Sequence, residues 1–390
     1  MTASDIARRA RLESIDVVRG IVMIVMALDH TRDFFGMPGQ NPTNLTSATA
    51  ALFLTRWVTY ICAPVFFLLT GTGAYLSLRR KSPGELSRYL LTRGLWLIVL
   101  ELVVARCFAY QFNADYRVTM LLVLWALGWA MIALSAAVHL PASVVTAAGV
   151  AMIAGHNLLD TVTSKSPFWS MLHSPGVVLN APAPVVFAAY PLIPWIGVTA
   201  VGYGLGQVYG WDADRRRRFL LRLGLMLSLA FIAIRLLNAY GDPSRWRPQA
   251  TGWFTVLSFL NTTKYPPSLL FLLMTLGPAV VLLRAVDRGT PRFLRPALLI
   301  GKVPLFYYLL HFALIHLLAV VTCYARYGSA HWMFESPDLA HYPFTAPPGW
   351  GYSLPTVYLV WAFVVLAMYP FCAWFAALKR RRSDAWLSYL

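Results

Sequence analysis

The chain has 390 residues, of which 58% are hydrophobic and 13% are charged, and its mean hydropathy is +0.59. This composition excludes an ordinary soluble domain and is typical of polytopic membrane proteins. The net charge of +17 lies in short segments between apolar stretches. It therefore predicts contact with anionic lipid headgroups and no nucleic-acid partner.

Ten stretches are long and apolar enough to cross a bilayer, because a spanning helix needs about 20 mostly apolar residues. They predict an all-α fold, a membrane bundle of about ten transmembrane helices in a single domain over 1–390. The fourth stretch is split from the fifth only by His139, Leu140 and Pro141, which predicts a tight helical hairpin. The stretches lie near 15–34, 54–78, 90–110, 118–139, 142–160, 185–209, 219–240, 266–286, 298–324 and 354–378.

The lysines and arginines predict the orientation of these helices, because short cytoplasmic loops carry the excess of basic residues. With the amino terminus in the cytoplasm, 22 basic residues fall on the cytoplasmic side and nine fall in the alternate loops. Both termini are then cytoplasmic, with basic tails at 1–14 and 379–390. The longest connections fall on the outer face, where they suit a lid over a site; they are 161–184, 241–265 and 325–353.

The first stretch carries ionisable residues, which in a membrane helix mark either a function or a paired structural role. Arg19 and His30 are about three helical turns apart, so they share one face with about 16 Å between them. Asp29, Arg32 and Asp33 can form an ion-paired cluster around His30. A carboxylate beside a histidine orients the imidazole as a general base or nucleophile requires. The alternative is an interfacial ion cluster that only ends the helix. Because a lone helix with so many charges would insert poorly, we expect the other spans to surround it.

Two later segments hold further candidates. Asn261 and Lys264 precede the eighth stretch, where a helix amino terminus with a lysine could bind an anion or a substrate carbonyl; a simple cap with a snorkelling lysine is the alternative. In the ninth stretch, Tyr308 lies three residues before His311 and reaches its face. His311 is either a second acid/base group or an interhelical hydrogen-bonding residue. His316 points elsewhere, which argues against a paired metal site.

The remaining reactive residues predict no metal site and no tightly bound cofactor. The four cysteines form no CxxC pair and are expected to be buried, and no Walker loop or dinucleotide fingerprint occurs. Asp16 and Arg19 interrupt the first apolar run, so a cleaved signal peptide is not expected. The other histidines show no spacing typical of ligands or catalysis; they are His139, His156, His173, His331 and His341.

Five segments carry a resemblance to a known family. They are RLESIDVVRGIVMIVMALDHTRDFF, APVFFLLTGTGAYLSLRR, YPLIPWIGVTAVGYGLG, LNTTKYPPSLLFLLMTLGP and GKVPLFYYLLHFALIH. These segments resemble the transmembrane acyltransferases related to heparan-alpha-glucosaminide N-acetyltransferase, in particular the uncharacterised bacterial branch. The resemblance implies a multi-pass protein of the bacterial inner membrane.

The activity that the resemblance implies is transfer of an acyl group from cytoplasmic acetyl-CoA, or another acyl-CoA, to a hydroxyl or amine of an extracytoplasmic glycan or amino sugar. Arg19 would contact CoA, and His30 would act at the thioester as base or nucleophile with Asp29 as its orienting partner. Gly71 and Gly73 would open a narrow tunnel for pantetheine, or would only permit close helix packing. The residues that would position the acceptor or the acyl group are Arg32, Asp33, Asn261, Lys264, Tyr308 and His311.

A second class of function is a proton-coupled transporter or flippase that uses Asp29, His30 and Arg19 as its pathway. Such a protein would favour two matching halves with helices broken at corresponding positions, and the sequence shows no such symmetry. Acyl-CoA binding would distinguish the two classes. The oligomeric state stays open, a homodimer included.

Overall fold

The computed structural model describes residues 3–180, 184–382, 384 and 387. In this part of the chain, helices dominate and three short strands form one sheet. The strands are β1 (Val118–Leu121), β2 (Gly176–Asn180) and β3 (Val185–Ala188). The α-helices are α1 (Ala3–Phe35), α2 (Ala50–Thr59), α3 (Cys62–Ser77), α4 (Pro83–Val99), α5 (Val123–Ala137), α6 (Ala142–Gly155), α7 (Pro167–Leu172), α8 (Leu192–Leu205), α9 (Ala213–Leu237), α10 (Gly252–Leu260), α11 (Leu269–Val286), α12 (Arg295–Gly301), α13 (Pro304–Tyr327) and α14 (Leu354–Arg381).

The helical bundle is confirmed, and a helix lies at each of the ten predicted stretches. Six helical segments of the described chain are long and apolar enough to cross a membrane by length and composition. The apolar helix α5 is shorter. The number of crossings and their orientation therefore stay predictions. The tail at 1–14 forms the first turns of α1 from Ala3 onward. The tail at 379–390 continues α14 as far as Arg381, and half of its residues lie outside the described chain.

Several predicted stretches do not form one continuous helix each. The fourth and sixth stretches begin with strands: β1 and β3 pair in parallel, and β2 pairs antiparallel with β3. Short runs rich in valine can be strand or helix by apolar content alone, and here pairing between distant segments decides. The connection at 161–184 holds α7 and β2, and its residues 181–183 lie outside the described chain. The second and ninth stretches are each divided into two helices, α2 with α3 and α12 with α13.

The predicted hairpin between the fourth and fifth stretches is also wrong. Helix α5 ends at Ala137 and α6 begins at Ala142, as the sequence suggested. However, α5 packs against α4 and α8, while α6 packs against the other part of α8 and does not run along α5. A short connection limits the distance between helix ends, but it does not decide which faces pack together.

The bundle is assembled through close approaches at glycines. A Cβ on Gly71 of α3 would lie 1.9 Å from the carbonyl oxygen of Thr199 in α8, and one on Gly202 of α8 would lie 2.1 Å from that of Leu68. Between α1 and α12, a Cβ on Gly20 would lie 1.8 Å from the carbonyl oxygen of Ala297. Small residues let helix backbones approach closely where lipid provides no hydrophobic drive for association.

Helix α1 is the central helix of the structure. It packs against α2, α3, α11, α12, α13 and α14. This confirms the expectation that a helix with so many charges is surrounded by other helices. The polar groups of α1 are thus solvated by protein rather than by lipid.

Some of the basic residues counted as lipid-facing are buried instead. Arg216, at the start of α9, donates from Nε and Nη2 to the carboxylate of Asp287 at the end of α11, at 3.1 and 2.8 Å. Arg216 is 2% exposed, so it joins two helices and does not contact headgroups. The number of lysines and arginines in each loop predicts its side of the membrane, but it does not distinguish a surface charge from one that is buried in an ion pair.

Candidate functional site

The outer end of α1, as predicted from charge, carries a compact ion cluster. Arg32 Nη2 lies 2.9 Å from Asp29 Oδ1 and 2.6 Å from Asp33 Oδ1. Arg56 of α2 donates to the other oxygen of Asp29. The side chains of Asp29, Arg32 and Arg56 are at most 14% exposed, whereas that of Asp33 is 44% exposed. The predicted cluster is therefore present, with Arg56 as a member that the sequence did not suggest.

His30 stands beside this cluster and faces α13. Its Nδ1 lies 4.0 Å from Asp33 Oδ2, whereas Asp29 is engaged by the two arginines. The proposed orienting role of Asp29 is therefore not supported by the geometry, and Asp33 is the carboxylate that lies at the imidazole. The ring of His30 packs on Phe312, with 3.9 Å between centroids, and lies 5.4 Å from the ring of His311.

The tautomer of His311 is set by the backbone. Its Nδ1 lies 2.8 Å from the carbonyl oxygen of Tyr307, and because a carbonyl only accepts, Nδ1 must carry the proton. Nε2 of the neutral ring then has a free lone pair, and it has no hydrogen-bond partner among the described residues. A linear hydrogen bond between two imidazoles would separate their centroids by about 5 Å. His311 thus lies close enough to orient His30.

A cavity of about 700 Å³ opens at this cluster. The end of α1 forms one wall, and α2, α3 and α13 form others. The segment around 340–352 contributes the rim: Trp350 Nε1 donates to the carbonyl oxygen of Phe34 at 2.9 Å, and the amide of Tyr352 donates to that of Phe35 at 2.8 Å. Of the predicted site residues, the cavity is lined by Asp29, His30, Arg32, Asp33, Lys264 and Tyr308.

Lys264 reaches the cavity from the segment between α10 and α11. Its Nζ lies 5.7 Å from the ring centroid of Tyr60 and 5.2 Å from that of Tyr265. No carboxylate of the described chain lies within ion-pair distance of Lys264, in contrast to Arg32 and Arg56. Lys264 is thus a cation of the cavity wall that is available to an anionic or carbonyl group of a substrate.

A buried network holds this segment in place. Arg235, which is 1% exposed, donates to the main-chain oxygens of Ser244 at 2.7 Å and Asn261 at 2.8 Å. Asp242 accepts from the amide of Thr263 at 2.9 Å and from the hydroxyl of Ser268 at 2.7 Å. Arg235 therefore satisfies buried carbonyls at the end of α9, and its position in a span reflects structure.

Asn261 is part of this scaffold and does not cap α11. Its side chain donates to the carbonyl oxygen of Thr43 at 2.9 Å, and the N-cap of α11 is Ser268. Asn261 and Lys264 both line a second, adjoining cavity of about 530 Å³. The predicted helix-terminus site is thus wrong, although Lys264 does lie at the main cavity.

Three predicted residues lie away from the cavity. Arg19 lies 2.9 Å from Asp16 and donates to the carbonyl oxygen of Gly301 at 3.3 Å, so its guanidinium serves the contact between α1 and α12. Gly71 has no room for a Cβ against α8, which favours close packing over a tunnel. Gly73 meets nothing within 4 Å, but it does not line the cavity either.

The cavity wall also contains a tyrosine that the sequence did not suggest. Tyr265 lines the cavity and donates to the hydroxyl of Tyr190 at 3.4 Å. Burial opposes ionisation of Tyr265, but the cations of Lys264 and Arg56 outweigh it and hold the pKa of the phenol below its usual range.

His316 is structural, as expected: its ring nitrogens approach the carbonyl oxygens of Ala109 and Met333.

The sequence was compared with known families and with curated proteins. The sequence model of the family described as heparan-alpha-glucosaminide N-acetyltransferase, catalytic, matches residues 11–240. The chain belongs to this acetyltransferase family. The predicted resemblance is thereby confirmed, and the chain is assigned to a family of membrane N-acetyltransferases. No curated protein matched.

The match to the acetyltransferase family covers only some walls of the cavity. Residues 11–240 include the ion cluster of α1, Arg56 and Tyr190, whereas Lys264, Tyr308 and His311 follow the matched region. The cavity is thus completed by α13 and by the segment before α11.

Proposed function

We propose that the protein transfers an acetyl group, or another acyl group, from acyl-CoA to an amine or hydroxyl of a glycan or amino sugar, with His30 at the reacting centre. The observation that carries the proposal is the position of the His30 imidazole in the cavity wall. The same wall contains the ion cluster and Lys264, which has no carboxylate partner among the described residues. The family match supports acetyl transfer as the reaction.

The proposed chemistry is direct transfer with His30 as general base. His30 takes a proton from the acceptor amine or hydroxyl, whose nitrogen or oxygen attacks the thioester carbonyl carbon. The C–S bond then breaks, and CoA leaves as a thiolate that takes up the proton. Asp33 at 4.0 Å from the ring favours the imidazolium that forms, and His311, whose ring centroid lies 5.4 Å from that of His30, is proposed to orient the ring.

Lys264 is proposed to stabilise the oxyanion of the tetrahedral intermediate. A cation of the cavity wall that has no carboxylate partner keeps its charge for the reacting group, and such preorganised charges are often the largest contribution to catalysis. Arg32 and Arg56 are less suited to this role, because Asp29 neutralises part of their charge. Tyr308 donates or accepts within a hydrogen bond with Tyr110 and is proposed to position the acceptor.

The family resemblance implied that Arg19 contacts CoA, but we do not include Arg19 in the proposed donor site. Because Arg19 is held by Asp16 and Gly301, we place the thioester end of acyl-CoA at His30 and assign Arg19 to helix packing. Access of the donor from the cytoplasm and of the acceptor from outside is part of the proposal. The family resemblance implies these two sides, and the distribution of basic residues predicts that His30 lies toward the outer one.

The test is CoA release by detergent-purified protein that is supplied with acetyl-CoA and glucosamine. We expect His30→Ala and His30→Gln to lose activity by at least about 10²-fold, and His139→Ala, an exposed histidine distant from the cavity, to retain it. Equal activity of the His30 variants and the parent would refute the role of His30. If the parent neither binds nor turns over any acyl-CoA, the enzyme proposal fails and proton-coupled transport through Asp29 and His30 is the next hypothesis.

A second measurement distinguishes the two forms of the mechanism. The protein is mixed with radiolabelled acetyl-CoA in the absence of acceptor and is then denatured. Direct transfer leaves the protein unlabelled, whereas an acyl-histidine intermediate labels the parent and not His30→Gln. Label that persists in His30→Gln would place the nucleophile elsewhere.

A further inference from the structure

Three potential metal ligands meet at the end of α6, away from the cavity. The donor atoms of His156, Asp160 and His173 all lie within 4.8 Å of one another. His173 Nε2 lies 3.2 Å from Asp160 Oδ1, and the two imidazole rings are 5.8 Å apart with an interplanar angle of 65°. The sequence did not suggest this cluster, because His173 reaches it only through the fold of α7.

The two histidines are buried, and their ring nitrogens are only partly satisfied. His156 is 2% exposed and His173 is 1% exposed. His173 Nε2 faces the carboxylate of Asp160, but none of the four ring nitrogens makes a hydrogen bond of good geometry within the described residues. Burial of an unpaired polar group costs about 1–3 kcal/mol, and buried imidazoles normally satisfy at least one nitrogen. Two such rings that face one carboxylate indicate a ligand that is shared by all three.

The chemistry of the ligand set selects the kind of ion. Two imidazole nitrogens favour Zn²⁺ or a similar transition metal over Mg²⁺ and Ca²⁺, which prefer oxygen ligands. Tetrahedral zinc ligands lie about 3.3 Å from one another, so small rotations of the side chains close the cluster. The side chain of Asp160 is 22% exposed and gives the ion a route from solvent.

We propose that His156, Asp160 and His173 bind one Zn²⁺ ion, with water in the fourth coordination position. The ion joins the end of α6 to α7, whose connection otherwise depends on a surface segment. Asn157 couples the site to the start of α11: its side chain donates to Asp160 at 2.8 Å and accepts from the amide of Leu269 at 2.9 Å. The site is therefore structural, and its proposal does not depend on acyl transfer.

The test measures metal content and metal affinity of the full chain, purified with its affinity tag removed and then treated with chelator. We expect one Zn²⁺ per chain after reconstitution, and Co²⁺ absorption in the visible region that is typical of four-coordinate sites and is displaced by Zn²⁺. His156→Ala, His173→Ala and Asp160→Asn should each weaken zinc binding by at least about 100-fold, whereas His139→Ala should bind as the parent does.

Thermal unfolding provides an independent readout. Zn²⁺ should raise the unfolding temperature of the parent and of His139→Ala, because a ligand that binds the folded state stabilises it, and should not raise that of Asp160→Asn. Asp160→Asn keeps the size of the side chain and one acceptor oxygen for Asn157, so it tests zinc binding even where an alanine variant fails to fold. The proposal is overturned if the parent binds no stoichiometric Zn²⁺, or if Asp160→Asn binds it as tightly as the parent.

Discussion

Neutralising Asp29 should destabilise the protein far more than neutralising Asp33, although both carboxylates pair with Arg32. The side chain of Asp29 is 9% exposed and also pairs with Arg56. The change Asp29→Asn keeps the volume but leaves two buried guanidiniums with one carboxylate fewer. Removing one partner of a buried pair costs about 3–5 kcal/mol. The side chain of Asp33 is 44% exposed, so Asp33→Asn should cost at most about 1 kcal/mol.

The assay is thermal unfolding in one detergent, followed by intrinsic fluorescence of the 14 tryptophans. A loss of about 3–5 kcal/mol corresponds to a fall of about 4–6 °C in the unfolding temperature for a chain of this size. Asp29→Asn should show this fall, and Asp33→Asn should lie within about 2 °C of the parent.

A double variant tests whether charge imbalance is the cause. Combining Asp29→Asn with Arg56→Gln restores the balance, so its destabilisation should be smaller than the sum of the two single changes by about 1–3 kcal/mol. Additive effects of the two changes, or an Asp29→Asn protein as stable as Asp33→Asn, would show that the cluster is solvated and would refute the reasoning.

Three further predictions concern packing, pairing and chemistry. Gly71→Ala should lower the unfolding temperature by several degrees, because a Cβ would lie 1.9 Å from a carbonyl oxygen of α8, whereas Gly73→Ala, with nothing within 4 Å, should not. Asp287→Ala should destabilise by about 3–5 kcal/mol through the buried Arg216; an unchanged melting curve would contradict that pairing. Lys264→Met should lower kcat for acyl transfer by about 10²-fold without changing the unfolding temperature, and an unchanged kcat in steady-state CoA release would remove the lysine from the reaction.

Part of the candidate site could be predicted because ionisable residues are costly in a membrane helix. The cluster around His30 stood out on this ground. Arg19 and His30 were predicted to share one face of α1, and they contact α12 and α13, which follow one another in the chain. The role of Arg19 at CoA was implied by the family resemblance, and the structure instead pairs Arg19 with Asp16, one turn away on its own helix.

The remaining site residues depend on contacts between distant segments. Arg56 is one of the nine basic residues counted in the alternate loops. Nothing in the sequence around it indicates that Asp29 is its partner. The sheet was missed for the same reason, since β1 and β3 are four residues each and are stabilised by pairing across more than 60 positions of the chain. His156 and His173 meet through the fold of α7, which no local pattern reveals.

The attachments of α1 have a consequence for motion. In its middle its backbone lies against that of α12 at Gly20 and Gly301, and at its end Trp350 and Tyr352 donate to its last carbonyl oxygens. Sliding or rotation of α1 would break both sets of contacts at once, whereas Arg56 of α2 meets it through side chains. We therefore expect α1 to keep its position during turnover, and any movement that admits substrate to occur in the elements around it.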